Sequence, residues 1–463
     1  MSHSYPTGKA EAHQRILNGK NSQEVRRKLI SRTPKSAAAK ASGGKHLSQE
    51  IVQTVDLPHA VYIDSAEGAY LTDLDGNQYI DMTMGFGPYV LGHKPPCVEK
   101  ALQAQIGKGW QYGIPSTLQL ELSDLLQAAS PCSDNVVFAN TGTEATMYAM
   151  RAARAFTGKE MIASFDGSYH GAHDDALIHA DPTSNRERPE AASIGQGIPA
   201  SVRDQSRMVL PYRRAEAFDL IRENKDKLAA VIIEPAQNSN PRTGLGEFLQ
   251  QLRDVCTETG VLLIFDEVVT GFRLAYGGAQ ELYGITPDLA AYGKALAHGL
   301  PVGAVGGRAD IMRGFSGEDM SKWIFCGGTF NGNPLTMAAG VAAVTEMRDT
   351  RDTLYPYING QTNRLATAVN TFCEQEGFGA HLFNAGSMLH MRFEGHPVKS
   401  SFDFSNDARF AEREFYLQLL GHGVFIPGVH LAFISGAHTE QNVDTIIDAF
   451  KQSFRAIRED GLF

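Results

Sequence analysis

Lys294 stands in an unusual place for a lysine. It follows the apolar run Leu289-Ala290-Ala291-Tyr292-Gly293 and precedes the turn His298-Gly299-Leu300-Pro301. An amine in a partly apolar pocket has its proton affinity lowered, and as a free amine it can condense with a carbonyl group. Taken alone, a lysine is more often a solvated surface residue, so its neighbours in the chain must decide. Leu263-Ile264-Phe265-Asp266-Glu267 is a hydrophobic strand that ends in two acids. Open α/β sheets bind ligands at the carboxyl edge of their strands. Successive strand side chains point to opposite faces, so only one of the two acids can face a ligand. Asp266 is the candidate, and a plain turn cap is its structural alternative.

A third segment, Phe138-Ala139-Asn140-Thr141-Gly142-Thr143-Glu144-Ala145, lies between a strand and a helix expected to reach about Phe156. Thr141 and Thr143 suit a helix cap, and Gly142 lets the backbone approach a ligand closely. Free amides and the positive end of the helix dipole make such a start a seat for phosphate. Phosphate seat, carboxylate and amine are the three things pyridoxal phosphate requires, for its phosphate, ring nitrogen and aldehyde respectively. Neither a Gly-x-x-x-x-Gly-Lys-Ser/Thr loop nor a Gly-x-Gly-x-x-Gly turn is present, which argues against P-loop and Rossmann nucleotide sites. His170 and His173 have metal-pair spacing, but no third ligand is evident, so no metal is expected.

The elements that must position these residues differ in texture along the chain. Residues 1–95 hold a basic arm and a small antiparallel meander from Tyr62 to Asp81, with turns at Glu67-Gly68 and Asp75-Gly76. Residues 96–344 alternate helical stretches with short buried runs such as Val136-Val137-Phe138, Met161-Ile162-Ala163, Ala230 to Ile233, Val261 to Phe265 and Ala304-Val305. That alternation predicts an α/β layer with a mostly parallel central sheet flanked by helices. Residues 345–463 read as a small α+β domain with a strand near Met388-Leu389-His390-Met391.

The chain has 463 residues, 43% of them hydrophobic, with 42 Lys and Arg against 52 Asp and Glu for a net charge of −10. An acidic chain is a poor nucleic-acid binder, and no apolar run approaches the roughly 20 residues a membrane span needs. Five scattered cysteines without a Cys-x-x-Cys pair fit a reducing, cytoplasmic setting, and the start lacks the apolar core of a secretory signal. Residues 1–45 carry ten Lys and Arg against Glu11 and Glu24. With almost no aromatic residues for base stacking, this arm is expected to pack on an acidic body or partner subunit.

With these motifs in hand, the sequence resembles fold-type-I pyridoxal-phosphate enzymes of the class III aminotransferase family, over roughly residues 60–455. Within the family it is most similar to the branch of glutamate-1-semialdehyde 2,1-aminomutase. The resemblance is carried by Gly87-Pro88-Tyr89-Val90-Leu91-Gly92-His93, Asn140 to Thr146, Tyr169-His170-Gly171, the Asp266 strand, Gly293-Lys294 and Gly328-Thr329-Phe330-Asn331-Gly332-Asn333-Pro334. It implies that Lys294 forms the internal aldimine, that Asp266 pairs with the pyridinium nitrogen and that Val268 packs on the ring. It further implies that Gly142 and Thr143 hold the phosphate, Tyr169 stacks on the opposite ring face with His170 beside it, and Glu234 lies near the cofactor. Thr329 would reach the phosphate of a neighbouring subunit, which implies a homodimer.

The sequence departs from the aminomutase pattern where substrate would be met. Arg32-Thr33-Pro34-Lys35-Ser36-Ala37-Ala38-Ala39-Lys40 replaces a Ser-Pro-Val-Arg stretch, and His430 stands where the aminomutase has a glutamate. No arginine is evident as a carboxylate clamp, and Phe86, Tyr112 and residues 183–200 are candidate substrate walls. The resulting expectation is an aminotransferase acting between an amino donor and a carbonyl acceptor. An intramolecular aminomutase or a racemase is the alternative. A catalytically dead binding protein is disfavoured by the presence of both Lys294 and Asp266.

Overall fold

The computed structural model describes residues 18–43, 47, 57–316, 319–394, 401–403, 409–428 and 431–463. Position 430, the expected departure in the C-terminal part, lies outside them. The meander expected after the arm is present as β1 (Ile63–Glu67), β2 (Tyr70–Asp73) and β3 (Gln78–Asp81), all antiparallel. Gly68 and Gly76 sit at its turns with φ of 57° and 86°, a region where a Cβ would be strained.

The main layer holds β4 (Asn135–Ala139), β5 (Met161–Phe165), the hairpin β6 (Ile178–Ala180) and β7 (Ala191–Ser193), β8 (Arg207–Leu210), β9 (Leu228–Ile233), β10 (Leu262–Asp266), β11 (Leu289–Gly293) and β12 (Gly303–Gly307). Seven of these strands form one sheet in the order β4-β12-β11-β10-β9-β5-β8. Every neighbouring pair is parallel except the two that involve β12. This is the mostly parallel α/β sheet of a fold-type-I enzyme. β9 to β12 are buried at every position, as parallel strands covered on both faces must be.

Side chains alternate across the sheet. Ile232 and Ile264 pack with Ala145, Tyr148, Ala149 and Ala152 of the helix Gly142–Thr157. Val231, Ile233, Leu263 and Phe265 point the other way, into the large cluster with Leu249 and Leu252. The same parity sends Asp266 to the face of Ile264 and Glu267 to the opposite face.

The C-terminal part adds β13 (His381–Ala385), β14 (Met388–Arg392), β15 (Val424–Phe425) and β16 (Ala432–Phe433). β13, β14 and β16 form an antiparallel sheet, whereas β15 joins the N-terminal meander, pairing in parallel with β3. The described part of the basic arm forms helices Lys20–Arg32 and Pro34–Ser42. Arg26 makes two hydrogen bonds to Glu414 (2.9 and 2.8 Å), and Ser22 binds Asp460 through its amide and hydroxyl. The arm thus packs on acidic groups of the C-terminal helices. No helix among the described residues is long and apolar enough to cross a membrane.

Candidate functional site

The carboxyl ends of β4, β9, β10 and β11 open on one cavity of about 360 Å³, a size typical of small-ligand sites. β12 runs against its neighbours, so its amino end meets the same edge and brings Gly299 to Val302 to the cavity. β4 leads into the helix Gly142–Thr157, whose start is a capping box. Thr141 Oγ1 accepts the Glu144 amide (3.1 Å), while Glu144 Oε2 accepts the amides of Asn140 (2.6 Å) and Thr141 (3.1 Å). The amides of Gly142 and Thr143 remain as helix-start donors at the cavity.

Close packing fixes this floor. A Cβ on Gly142 would lie 2.6 Å from Val268 Cγ1, and one on Gly171 would lie 2.7 Å from Thr143 Oγ1. Glycine is therefore required at both positions for the helix start, the Val268 turn and the 169–172 loop to meet. Lys294, immediately after β11, has φ of 42°. Side-chain residues in that left-handed region store strain that the surroundings must hold.

Asp266 is buried. Its Oδ2 is 2.8 Å from His170 Nδ1, and its Oδ1 accepts the Val268 amide at 3.1 Å. His170 Nε2 is buried without a hydrogen-bond partner. Glu234 accepts the Tyr169 amide (2.9 Å) and, through its other oxygen, the amide and side chain of Asn238 (3.2 and 3.0 Å). Burial, reinforced by the charge of Asp266, pushes the Glu234 carboxyl up to about 8. Burial lowers the proton affinity of Lys294, with a further contribution from Arg273, while Asp266 and Glu234 oppose the shift. Glu267 leaves the site altogether: it accepts Thr270 Oγ1 (2.7 Å) and the Ala279 amide (2.9 Å) on the far face.

Eight residues singled out from sequence therefore meet in one place: Gly142, Thr143, Tyr169, His170, Glu234, Asp266, Val268 and Lys294 all line the cavity. Thr329 does not. It is exposed, and its carbonyl is bonded by the side chain of Gln111. His173 turns to Thr146 Oγ1 at 3.3 Å. Of the expected substrate walls, neither Phe86, Tyr112 nor residues 183–200 line the cavity; Gly85 and Pro88 stand there instead, with Leu300 and Pro301 opposite. Tyr112 is exposed and packs on its own loop through Gln105. Asn238 and Val269 were missed because they lie in turns where no periodic pattern distinguishes them. The turn after Lys294 carried its signal in its glycine and proline.

The donor set fits pyridoxal phosphate. Helix-start amides suit a dianion, a buried carboxylate suits a protonated ring nitrogen, and an amine of lowered proton affinity suits an aldehyde. The comparisons with known proteins agree. A family model described as aminotransferase class-III matches residues 52–454. The chain is 40% identical to glutamate-1-semialdehyde 2,1-aminomutase of Ignicoccus hospitalis, covering 86% of this chain and 93% of the relative. It is 38% identical to the protein of that name from Archaeoglobus fulgidus, at 86% and 93% coverage. Among solved structures, an omega-transaminase from Sphaerobacter thermophilus superposes with a TM-score of 0.83 at 31% identity, covering 93% of this chain and 99% of that one. A beta-phenylalanine aminotransferase from Variovorax paradoxus gives 0.83 at 27% identity, with 96% and 98% coverage. The chain belongs to the class III aminotransferase family of pyridoxal-phosphate-dependent, fold-type-I enzymes.

Proposed function

We propose that Lys294 holds the aldehyde of pyridoxal phosphate and that the chain moves an amino group on a small amine or amino acid. The convergence of Lys294, Asp266 and the Gly142–Thr143 helix start on one cavity carries this reading. When bound, the cofactor supplies an aldehyde that captures amines and a ring that accepts electron density from the adjacent carbon. In this reading Asp266 holds the proton on the ring nitrogen by its charge. His170 fixes the rotation of that carboxylate. Val268 and Tyr169 face the two sides of the ring, and the amides of Gly142 and Thr143 bind the phosphate. Lys294, neutral at lower pH than an ordinary lysine, would accept at Nζ the proton leaving the substrate's amine-bearing carbon and pass that same proton to the former aldehyde carbon.

Two outcomes of this chemistry are distinguishable. The first is return of the amino group to the same molecule, an aminomutase reaction, supported by the names of the relatives at 40% and 38% identity. The second is transfer to a separate carbonyl acceptor. It is supported by the described lining of the cavity, in which Lys294 is the one Lys or Arg. Thr329 is proposed to serve the site of a second copy in a homodimer. Trp110, Ile114, Phe325 and Phe330, close in sequence to the bonded Gln111 and Thr329, are exposed apolar side chains of the kind that copies cover.

The test is a screen of purified protein loaded with pyridoxal phosphate, following loss of the visible absorbance as α-amino acids, β-amino acids, simple amines and glutamate-1-semialdehyde are added. Turnover of glutamate-1-semialdehyde alone supports the aminomutase outcome. Turnover that requires an added keto acid supports the transaminase outcome. Absence of any absorbance change with every amine refutes both.

A further inference from the structure

The segment Met84 to His93 is held more firmly than a cavity wall requires. Met84, Gly85, Phe86 and Gly87 all have positive φ, at 45°, 63°, 67° and 107°. Side-chain residues adopt such a run only when their surroundings impose it. One anchor is the buried carboxylate of Asp81, which accepts the amides of Thr83 (2.7 Å) and Met84 (3.1 Å) and lies 2.7 Å from His93 Nε2. The other anchor is Arg273. Its guanidinium donates to the Gly87 carbonyl from Nε (3.2 Å) and Nη2 (2.6 Å). From Nη1 it donates to Ser387 Oγ (3.0 Å) and the Ile434 carbonyl (3.3 Å), and it lies 4.7 Å from the centre of the Phe433 ring.

Arg273 is fully buried, yet all of these acceptors are neutral. Taking a guanidinium out of water without a carboxylate partner is unfavourable, and carbonyls plus an aromatic face offset it only in part. What the arrangement does achieve is a joint. Gly87 belongs to the wall whose Gly85 and Pro88 line the cavity, and Ser387 and Ile434 flank β14 and β16. The joint is tight, because a Cβ on Gly87 would lie 2.9 Å from Phe433 Cζ.

We propose that Arg273 is a positioning residue that fixes the Met84–Pro88 wall against the C-terminal strands and so sets how a substrate enters beside Lys294. This rests on the reading of the cavity as an amine site for its kinetic consequence only; the effect on the wall does not depend on it. The test compares Arg273→Met, Arg273→Lys and Ser387→Ala with the parent protein, each loaded with pyridoxal phosphate, by amide hydrogen exchange and by reaction with aminooxyacetate. In Arg273→Met, amides of residues 83–92 should exchange about tenfold faster, with the helix Gly142–Thr157 unchanged. The half-saturating aminooxyacetate concentration should rise about tenfold in Arg273→Met and about threefold in Ser387→Ala, and in Ser387→Ala, which keeps the charge of Arg273, the limiting rate should change less than about threefold. Arg273→Lys should recover part of both effects, and Ser387→Ala should show the same local exchange change at about threefold. Equal loosening throughout the protein, or unchanged exchange at 83–92, overturns the proposal. If Arg273→Met does not fold, Ser387→Ala decides it: parent-like exchange and half-saturation overturn it. Failure of the parent protein to react with aminooxyacetate would count against the amine-site reading, and the exchange data would still decide the role of Arg273.

Discussion

Gly303→Ala tests whether the helix start is the seat of the cofactor phosphate. Gly303 opens β12 and pairs with Ala139, immediately before the capping box. A Cβ there would lie 2.1 Å from the Thr141 carbonyl oxygen and 2.7 Å from its carbon. Both are backbone atoms, so no side chain can rotate away, and relief requires the start of the helix to move by roughly 1 Å. Overpacking of this kind destabilises by about 1–3 kcal/mol. Displacement of the Gly142 and Thr143 amides also weakens charge-assisted hydrogen bonds worth about 1.5–3 kcal/mol each, so affinity for pyridoxal phosphate should fall about 10- to 100-fold. Gly306→Ala on the same strand is the control. Its Cβ would lie 1.9 Å from Ser133 Oγ, a side-chain atom away from the cavity. It should lower the melting temperature without changing cofactor affinity. Titration of both apo-variants with pyridoxal phosphate, alongside melting curves, separates the two effects. Parent-like affinity in a folded Gly303→Ala protein would show that the phosphate is held elsewhere.

Lys294→Ala should lose both turnover and the adduct trapped by borohydride, read by mass spectrometry; retention of either would reassign the amine. Asp266→Asn should keep the fold with stability within about 2 kcal/mol of the parent, read by melting curves, yet lose more than about 99% of turnover. Glu234→Gln probes the raised carboxyl. In the folded chain Glu234 binds its proton up to about 8, against an ordinary 4.5. Its stabilising contribution is therefore fully present below pH 4.5 and is lost as pH rises through 8. Apo-Glu234→Gln should accordingly gain stability over the parent as pH rises from 5 to 9, by up to a few kcal/mol; an identical pH profile would refute the raised value.

The side of the cavity lined by Asp266, Glu234 and Lys294 was legible because it follows from strand ends. Asp266, Glu234 and Lys294 each terminate or follow a continuous apolar run, and Thr141 to Glu144 spell a capping box. The choice between Asp266 and Glu267 needed only the period of a strand, once the neighbours of Ile264 were known. The substrate side was not legible, since its walls come from irregular turns. Phe86, Tyr112 and residues 183–200 were the expected walls, and none of them lines the cavity. The backbone at Phe86 is left-handed, and its smaller neighbours Gly85 and Pro88 line the cavity. β8 escaped notice because it opens with a buried arginine, Arg207, bonded to Ser164. The pairing of β15 with β3 had no local signal, being a contact between distant parts of the chain.

That pairing has a consequence for how the protein is made. The free edge of β3 is closed by residues 423–425, and His438, which reaches the Asp81 carbonyl, follows Asp81 by 357 positions. A nascent chain on the ribosome therefore carries an open strand edge beside Asp81 until Val424 and Phe425 have emerged, and such edges invite pairing with other chains. The large sheet and the capped start of the helix Gly142–Thr157 can assemble earlier from contacts closer in sequence. The joint that Arg273 makes between Gly87, Ser387 and Ile434 likewise waits for the C-terminal strands, so the Met84–Pro88 wall is set in place after the sheet it stands beside.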